Sequence, residues 1–414
     1  MCTNFNTDNV KNLFFGFCLL ASLGCKKSSG SNPTPTDTDV RVYAPSKVNK
    51  TVGKKVFAHL MPWFETPKTN GGSWGIHWRM NTQNPDIVDA NGKRQIASHF
   101  YPLIGPYASG DTTVIEYQLL LMKLSGIDGV FIDWPGVQNK FDYPLMVKNT
   151  EKIVSMLDRV GLQFAIVYED QNLNNTGTSD KIGAAQNDMR YLQEHFFAMA
   201  SYEKLEGKPL LLVFGPQALT TEAQWTSVFS VLPVHPSFLP LWFESNEAGI
   251  NARGEFAWIS ENHLSTLNNF YGNNYGGIKF GAAYPGFQSF YAQGGWSGPT
   301  WTIAHNGTAT FNQTLDLALS QPAIPYIQIP TWNDYGEGTM IEPTNEFGYG
   351  FLTSLQQKLG VSSLGQSDLE AVAKLFELRK AKAAVANVQK QLDQVFYYIV
   401  SLQLTKAKEI LATL

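Results

Sequence analysis

Cysteine is nearly absent from this 414-residue chain: Cys2, Cys18 and Cys25 are the full complement, and all stand within the first 25 positions. The remainder can therefore form neither disulfides nor thiolate metal sites. Positive charge is also sparse. Lys plus Arg number 31 against 35 Asp plus Glu, for a net charge of −4, and no basic cluster offers a bed for a phosphate backbone, so nucleic acid is not an expected partner. Beyond residue 24 no apolar run reaches membrane length. The seven histidines, His59, His77, His99, His195, His235, His263 and His305, show no HxH or HExxH spacing. No GxSxG elbow and no GxGxxG or GxxxxGK[ST] follows an apolar strand. Neither a metal nor an organic cofactor is expected.

What is present begins at the N-terminus. Lys11 precedes an apolar stretch over residues 13–24 that is too short to span a bilayer and ends in a small residue before Cys25. This has the shape of a bacterial lipoprotein signal, with Ser22 where the pattern usually has Leu. Residues 1–24 thus read as a signal peptide, Cys25 as the site of a diacylglycerol anchor, and residues 25–50 as a flexible tether. The expected location is the bacterial cell envelope, lipid-anchored to a membrane and facing the periplasm or the cell exterior. Nothing in the sequence speaks to oligomeric state.

From about residue 54 to 360 short apolar strands alternate with amphipathic helical stretches, the mark of repeated βα units. Strands are expected at 56–60, 129–132, 163–167, 209–213, 240–243, 256–259, 278–282 and around Ile327, with helices at 115–124, 146–160, 184–199 and 310–320 between them. Eight strands match a (β/α)8 TIM barrel over residues 51–362, and the same count also fits an open doubly wound sheet. Residues 363–414 carry apolar positions at helical spacing and read as a C-terminal helical hairpin or three-helix extension, opened by a capping pattern at Ser367.

Polar and aromatic residues recur just after the strands, where a parallel barrel gathers its loops on one face. The densest group follows the last strand, in Trp332-Asn-Asp-Tyr-Gly-Glu337. Asp334 and Glu337, three apart on a Gly-rich turn among aromatics, have the makings of an acid/base pair. Partial desolvation there raises one carboxyl enough to hold a proton near neutrality, and glycosidic hydrolysis needs one such acid and a second carboxylate. Glu337, flanked by glycines, suits the general acid and Asp334 the general base. Asn333 can orient a sugar hydroxyl or either acid. Asp133 and Glu169 close the second and third strands, either as hydrogen-bond partners for a sugar or as structural caps. The high aromatic content, 13% with ten Trp, supplies flat faces for sugar rings. Trp63, Trp134, Tyr284 and Trp332 are the stacking candidates, with core burial as the competing fate.

Two family resemblances now emerge. Trp332-Asn-Asp-Tyr-Gly-Glu337 resembles the WNDYGE signature of the α-1,3-glucanases of glycoside hydrolase family 71. The continuation Gly338-Thr-Met-Ile-Glu-Pro343 is similar to the EGTxIEP segment of the family 99 endo-α-mannosidases. His59-Leu-Met-Pro-Trp63, Tyr107-Ala-Ser-Gly-Asp111, Gly126-Ile-Asp-Gly-Val130 and Ala283-Tyr-Pro-Gly-Phe287 resemble family 99 patterns in the same order. The resemblance implies a (β/α)8 barrel acting on an α-linked oligosaccharide or polysaccharide without a metal. It places Glu337 on the general acid of both families. Asp334 falls on the aspartate of family 71 and on the base glutamate of family 99, so its shorter side chain departs from the latter. The expected activity is endo-α-mannosidase-like, with an α-1,3-glucanase or a non-catalytic glycan-binding lipoprotein as the alternatives.

Overall fold

The computed structural model describes residues 40–273 and 276–414. The expected signal peptide, Cys25 and the first part of the expected tether lie outside the described residues. Eight parallel strands form one curled sheet: β1 (Lys55–Leu60), β2 (Gly129–Trp134), β3 (Gln163–Tyr168), β4 (Lys208–Val213), β5 (Ser237–Leu239), β6 (Gly254–Phe256), β7 (Ile278–Ala282) and β8 (Tyr326–Ile329). Each pairs with its sequence neighbour except β5 with β6, and β8 pairs with β1, Val56 opposite Ile327. Single-residue bridges, Phe238 with Ala252 and Leu241 with Phe256, carry the circuit from β5 to β6. The architecture is consistent with a (β/α)8 fold. Phe57, Phe131, Phe280 and Tyr326 stack across the sheet interior at centroid distances of 4.3–6.1 Å.

Helices α1 (Thr112–Leu124), α2 (Tyr143–Val160), α3 (Lys181–His195), α4 (Glu222–Phe229), α5 (His263–Gly272), α6 (Ala309–Leu319) and α7 (Gly350–Leu359) cover the outside. Their ends follow local chemistry. Asp111 and Asp180 accept from backbone N–H groups in the first turns of α1 and α3, Thr221 and Gln224 cap α4 reciprocally, and Gly161 ends α2 in the left-handed region at φ 79°. Two strand expectations need correction. The apolar run 240–243 lies beyond β5, because Pro240 has no N–H for the ladder and Phe243 takes a left-handed turn at φ 68°, and of the run 256–259 only Phe256 belongs to β6.

Three helices follow the sheet: α8 (Gln366–Ala381), α9 (Ala386–Val400) and α10 (Leu404–Leu411). The cap of α8 sits earlier than Ser367, since Asp368 accepts the N–H of Gly365 at 2.9 Å. The extension grips α1 through Arg379, which forks onto both oxygens of Glu116 at 2.8 and 3.0 Å and also reaches Asp393. No described helix is long and apolar enough to cross a membrane.

Residues 45–50, expected to be tether, are bonded to the body. Residues 45–54 form a strap over the N-terminal ends of the strands: Ser46 and Thr51 donate their N–H groups to Val400 and Leu359, Lys123 donates to the Ser46 carbonyl and Lys50 pairs with Asp128. These bonds satisfy the strap's polar groups and fix it to the body.

Candidate active site

The loop after β8 is folded on its own polar atoms. The N–H of Trp332 donates to His59 O at 2.7 Å, and that of Thr331 to Thr339 O at 3.0 Å. Thr331 Oγ1 accepts the N–H of Asp334 at 2.7 Å, and Asp334 Oδ1 accepts that of Glu337 at 3.0 Å. This turn sets the carboxylate of Asp334, 4% exposed, on the backbone of Glu337, which is half-buried. Gly338 is obligatory here: its φ is +66°, and a Cβ would lie 2.8 Å from the Gln288 carbonyl oxygen. That close approach lets the loop after β7 pair alongside, with Gln288 N–H on Glu337 O at 2.9 Å and Phe290 N–H on Gly336 O at 2.8 Å. The same segment delivers Tyr291, whose hydroxyl donates to Glu337 Oε1 at 2.8 Å.

Asp133 ends β2 beside β3, and Glu169 follows β3, its N–H on Trp134 O at 3.0 Å. Burial raises all four carboxyls, Asp133, Glu169, Asp334 and Glu337, above their ordinary range, with Asp133 pushed up to about 7. After burial, Asp334 is raised further by the charges of Glu337 and Asp133, and Glu169 by those of Asp133, Asp170 and Glu337. The four thus form one electrostatic cluster in which ionising any member opposes ionising the next, so protons stay in the site near neutrality. Among the described residues no group of three or more His, Cys, Asp or Glu side chains is arranged to hold a metal ion.

Asp334 lines a cavity of about 190 Å³ walled by Trp63, Phe64, His77, Met80, Tyr291, Trp296 and Gly336. His77 lies parallel on Trp63 at 4.3 Å and meets Asp142 Oδ2 at 3.4 Å. A larger cavity of about 580 Å³ opens under the strap at the opposite end of the strands. It holds no comparable chemistry, because its Lys50 and Lys123 are committed to Asp128 and to backbone carbonyls.

No family model and no curated protein matches the chain. Solved structures do. An endo-α-mannosidase of glycoside hydrolase family 99 from Bacteroides thetaiotaomicron superposes with a TM-score of 0.57 at 17% identity, over 78% of this chain and 99% of that one. The same enzyme with Bis-Tris propane gives 0.56 at 18% identity, over 81% and 100%. A glycoside hydrolase-like protein gives 0.54 at 14%, over 79% and 99%. The chain has a family 99-like fold.

In this family 99-like frame the cluster sits at the C-terminal ends of β2, β3 and β8, and it unites four of the sequence-derived candidates, Asp133, Glu169, Asp334 and Glu337. Trp63 shares the cavity wall with Asp334. The other aromatics do not. Trp134 is fully buried and stacks on Tyr191 of α3 at 5.8 Å. Tyr284 is fully buried against His263 and Thr314, and Trp332 is core as well. Asn333 is also corrected: its amide accepts from Met61 N–H at 2.9 Å and donates to Met61 O and Tyr107 Oη at 3.0 and 3.1 Å, which commits it to protein. Asp170 likewise accepts the N–H groups of Gln217, Ala218 and Leu219 as the anchor of the loop after β4.

Three residues of the site were not singled out from sequence. Tyr291 lies 46 positions from Glu337, with no spacing rule to join them. His77 had been weighed only as a metal ligand. Trp296 lines the same cavity, on a Gly-rich loop with no strand periodicity to place it.

Proposed function

We propose that the chain is a glycoside hydrolase that cleaves α-linked glycans of the mannan type in the manner of an endo-α-mannosidase, with Glu337 as general acid and Asp334 as general base. The observation that carries this reading is the pairing of those two carboxyls on one turn, within electrostatic reach of Asp133 and Glu169, with Asp334 at the wall of a cavity lined by Trp63 and Trp296. A carboxyl kept protonated by burial gives its proton to the leaving oxygen, and its partner takes one from water or from a sugar hydroxyl. Trp63 offers a flat face to a sugar ring, and Asp133 and Glu169 offer acceptors for its hydroxyls. Tyr291 occupies one oxygen of Glu337 and so orients the other. The likeness to an endo-α-mannosidase in fold supports the mannan-type substrate. Asp at position 334, together with the WNDYGE wording, favours an α-1,3-glucanase as the second reading.

The test is to incubate the purified full-length chain with α-mannan, α-1,3-glucan and oligomannosides and to follow products by anomer-resolved NMR. Mannooligosaccharides are the expected product. Release from α-1,3-glucan alone would transfer the assignment to the second reading, and tight binding with no release from any α-glycan would make the chain a glycan-binding protein. We also propose that Cys25 carries a lipid anchor in a bacterial envelope, as the residues before it imply. Metabolic labelling with a fatty acid should mark the chain and should be lost in Cys25→Ser; equal labelling of both would remove the anchor.

A further inference from the structure

Five residues past Glu337, Glu342 never reaches the cavity, being 1% exposed. Its oxygens nevertheless accept three hydrogen bonds: Oε1 from Gln118 Nε2 at 2.8 Å, and Oε2 from the hydroxyls of Tyr107 and Tyr335 at 2.8 and 2.9 Å. Tyr107 Oη in turn accepts from Gln118 Nε2 and Asn333 Nδ2, each at 3.1 Å. Asn333 completes the chain by its two bonds to the Met61 backbone. The members come from α1, from the long loop after β1 and from the loop after β8. Burial raises the Glu342 carboxyl to about 7, and the bonds from Gln118, Tyr107 and Tyr335 work against that rise.

Direction is the point. Hydroxyls and amides can each donate or accept, but an ionised carboxylate only accepts. Glu342 therefore dictates which way Tyr107 and Tyr335 point their protons. Tyr107, with its proton spent on Glu342, must receive Asn333 as a donor, and so the Asn333 amide can present its oxygen only to Met61 N–H. With Gln118, Tyr107 and Tyr335 all donating to it, Glu342 serves as acceptor only, and this sets the orientation of every group down to the end of β1.

We propose that Glu342 is a positioning residue for the Asp334–Glu337 pair: its carboxylate, acting through Tyr107, Tyr335 and Asn333, locks the 331–338 loop to the end of β1 in the geometry that the chemistry uses. The proposal rests on the reading of that pair as acid and base. Glu342 touches no cavity atom, so its effect is on placement alone.

Glu342→Gln keeps the shape but puts an amide donor against either Gln118 Nε2 or the two tyrosine hydroxyls, and one bond of the chain must reverse. Misplacement of reacting groups by an ångström lowers turnover on the order of a hundredfold. At temperatures where the variant is fully folded, kcat should fall about 10- to 100-fold with KM within about threefold. The reciprocal exchange Gln118→Glu with Glu342→Gln should return most of the lost kcat, because it restores a carboxylate facing an amide. Tyr335→Phe, which removes one bond without placing a new donor, should show the same kcat-selective loss and serves if Glu342→Gln does not fold. Hydrogen exchange at the 331–338 amides gives a readout that needs no substrate and should quicken at least about tenfold in either single variant. If the wild type cleaves no glycan, the functional reading fails on its own account and the catalytic part of the proposal falls with it, while quickened exchange would still show that Glu342 locks the 331–338 loop. If the wild type cleaves and a folded variant keeps both its kcat and its slow exchange, or if kcat falls and the reciprocal exchange recovers none of it, the positioning role is overturned.

Discussion

Glu337→Gln is expected to reduce kcat/KM on an unactivated α-glycan by about a thousandfold, the middle of the range general acids supply, while leaving hydrolysis of a nitrophenyl glycoside within about tenfold. The change is close to isosteric, and the amide oxygen can still receive the Tyr291 hydroxyl that Glu337 Oε1 accepts at 2.8 Å. The fold around the turn is therefore retained, and what disappears is the proton. A sugar alkoxide cannot leave without one, whereas a nitrophenolate can. Asp334→Asn should behave differently, lowering turnover of both substrates, since a base that prepares the nucleophile is needed whatever the leaving group. Steady-state rates on the two substrate types with each variant decide the assignment. A pattern in which Asp334→Asn spares the activated glycoside and Glu337→Gln does not would exchange the two roles.

The sequence made the βα order legible because six of the eight strands are apolar runs bounded by turn residues. β5 and β6 were misplaced for a physical reason. They are only three residues long, and the more apolar segments just beyond them, with Trp242 and Trp258 each 8% exposed, are buried loop rather than ladder. The carboxyls were legible as strand-end residues. Trp134 is turned away from the site by parity. Along β2, Phe131 and Asp133 face the interior, so Trp134 between the sheet and α3 has to point outward, and it packs on Tyr191. By the same alternation Tyr168 turns outward to Asp188 at 2.7 Å, and Glu169 turns inward. Trp332 and Asn333 could not be sorted this way, because the loop after β8 has no strand periodicity. Their placement depends on bonds to His59 and Met61 across some 270 residues of chain. Tyr291 and the Glu342 network are tertiary in the same sense.

Asp334→Asn carries a second consequence, in stability. Burial and the neighbouring carboxylates raise Asp334 well above its ordinary 3.8, so the folded protein holds that proton more tightly than the unfolded chain. The sign follows. Stability from this source is fully present at pH values below the ordinary carboxylate range and is lost as pH rises through the folded value, because the folded state must then bury charge beside charge. Asp133, at about 7, and Glu169 add to the same trend. The wild-type melting temperature should therefore fall between pH 4 and pH 8. Asn cannot ionise, and its oxygen can keep the Glu337 N–H bond of 3.0 Å, so the variant should melt roughly 5 °C above the wild type at pH 8. At pH 4, where Asp334 is neutral in any case, the two should nearly coincide. Scanning calorimetry at both pH values checks this, and an Asp334→Asn variant that melts below the wild type at pH 8, or that gains equally at pH 4, would contradict the crowded-carboxylate account. A more stable but inactive variant is what a site selected for proton transfer yields. A cleft that only held glycan could present neutral amides at these positions and form the same hydrogen bonds without the repulsion, so the pH-dependent melting difference separates the catalytic reading from the binding one.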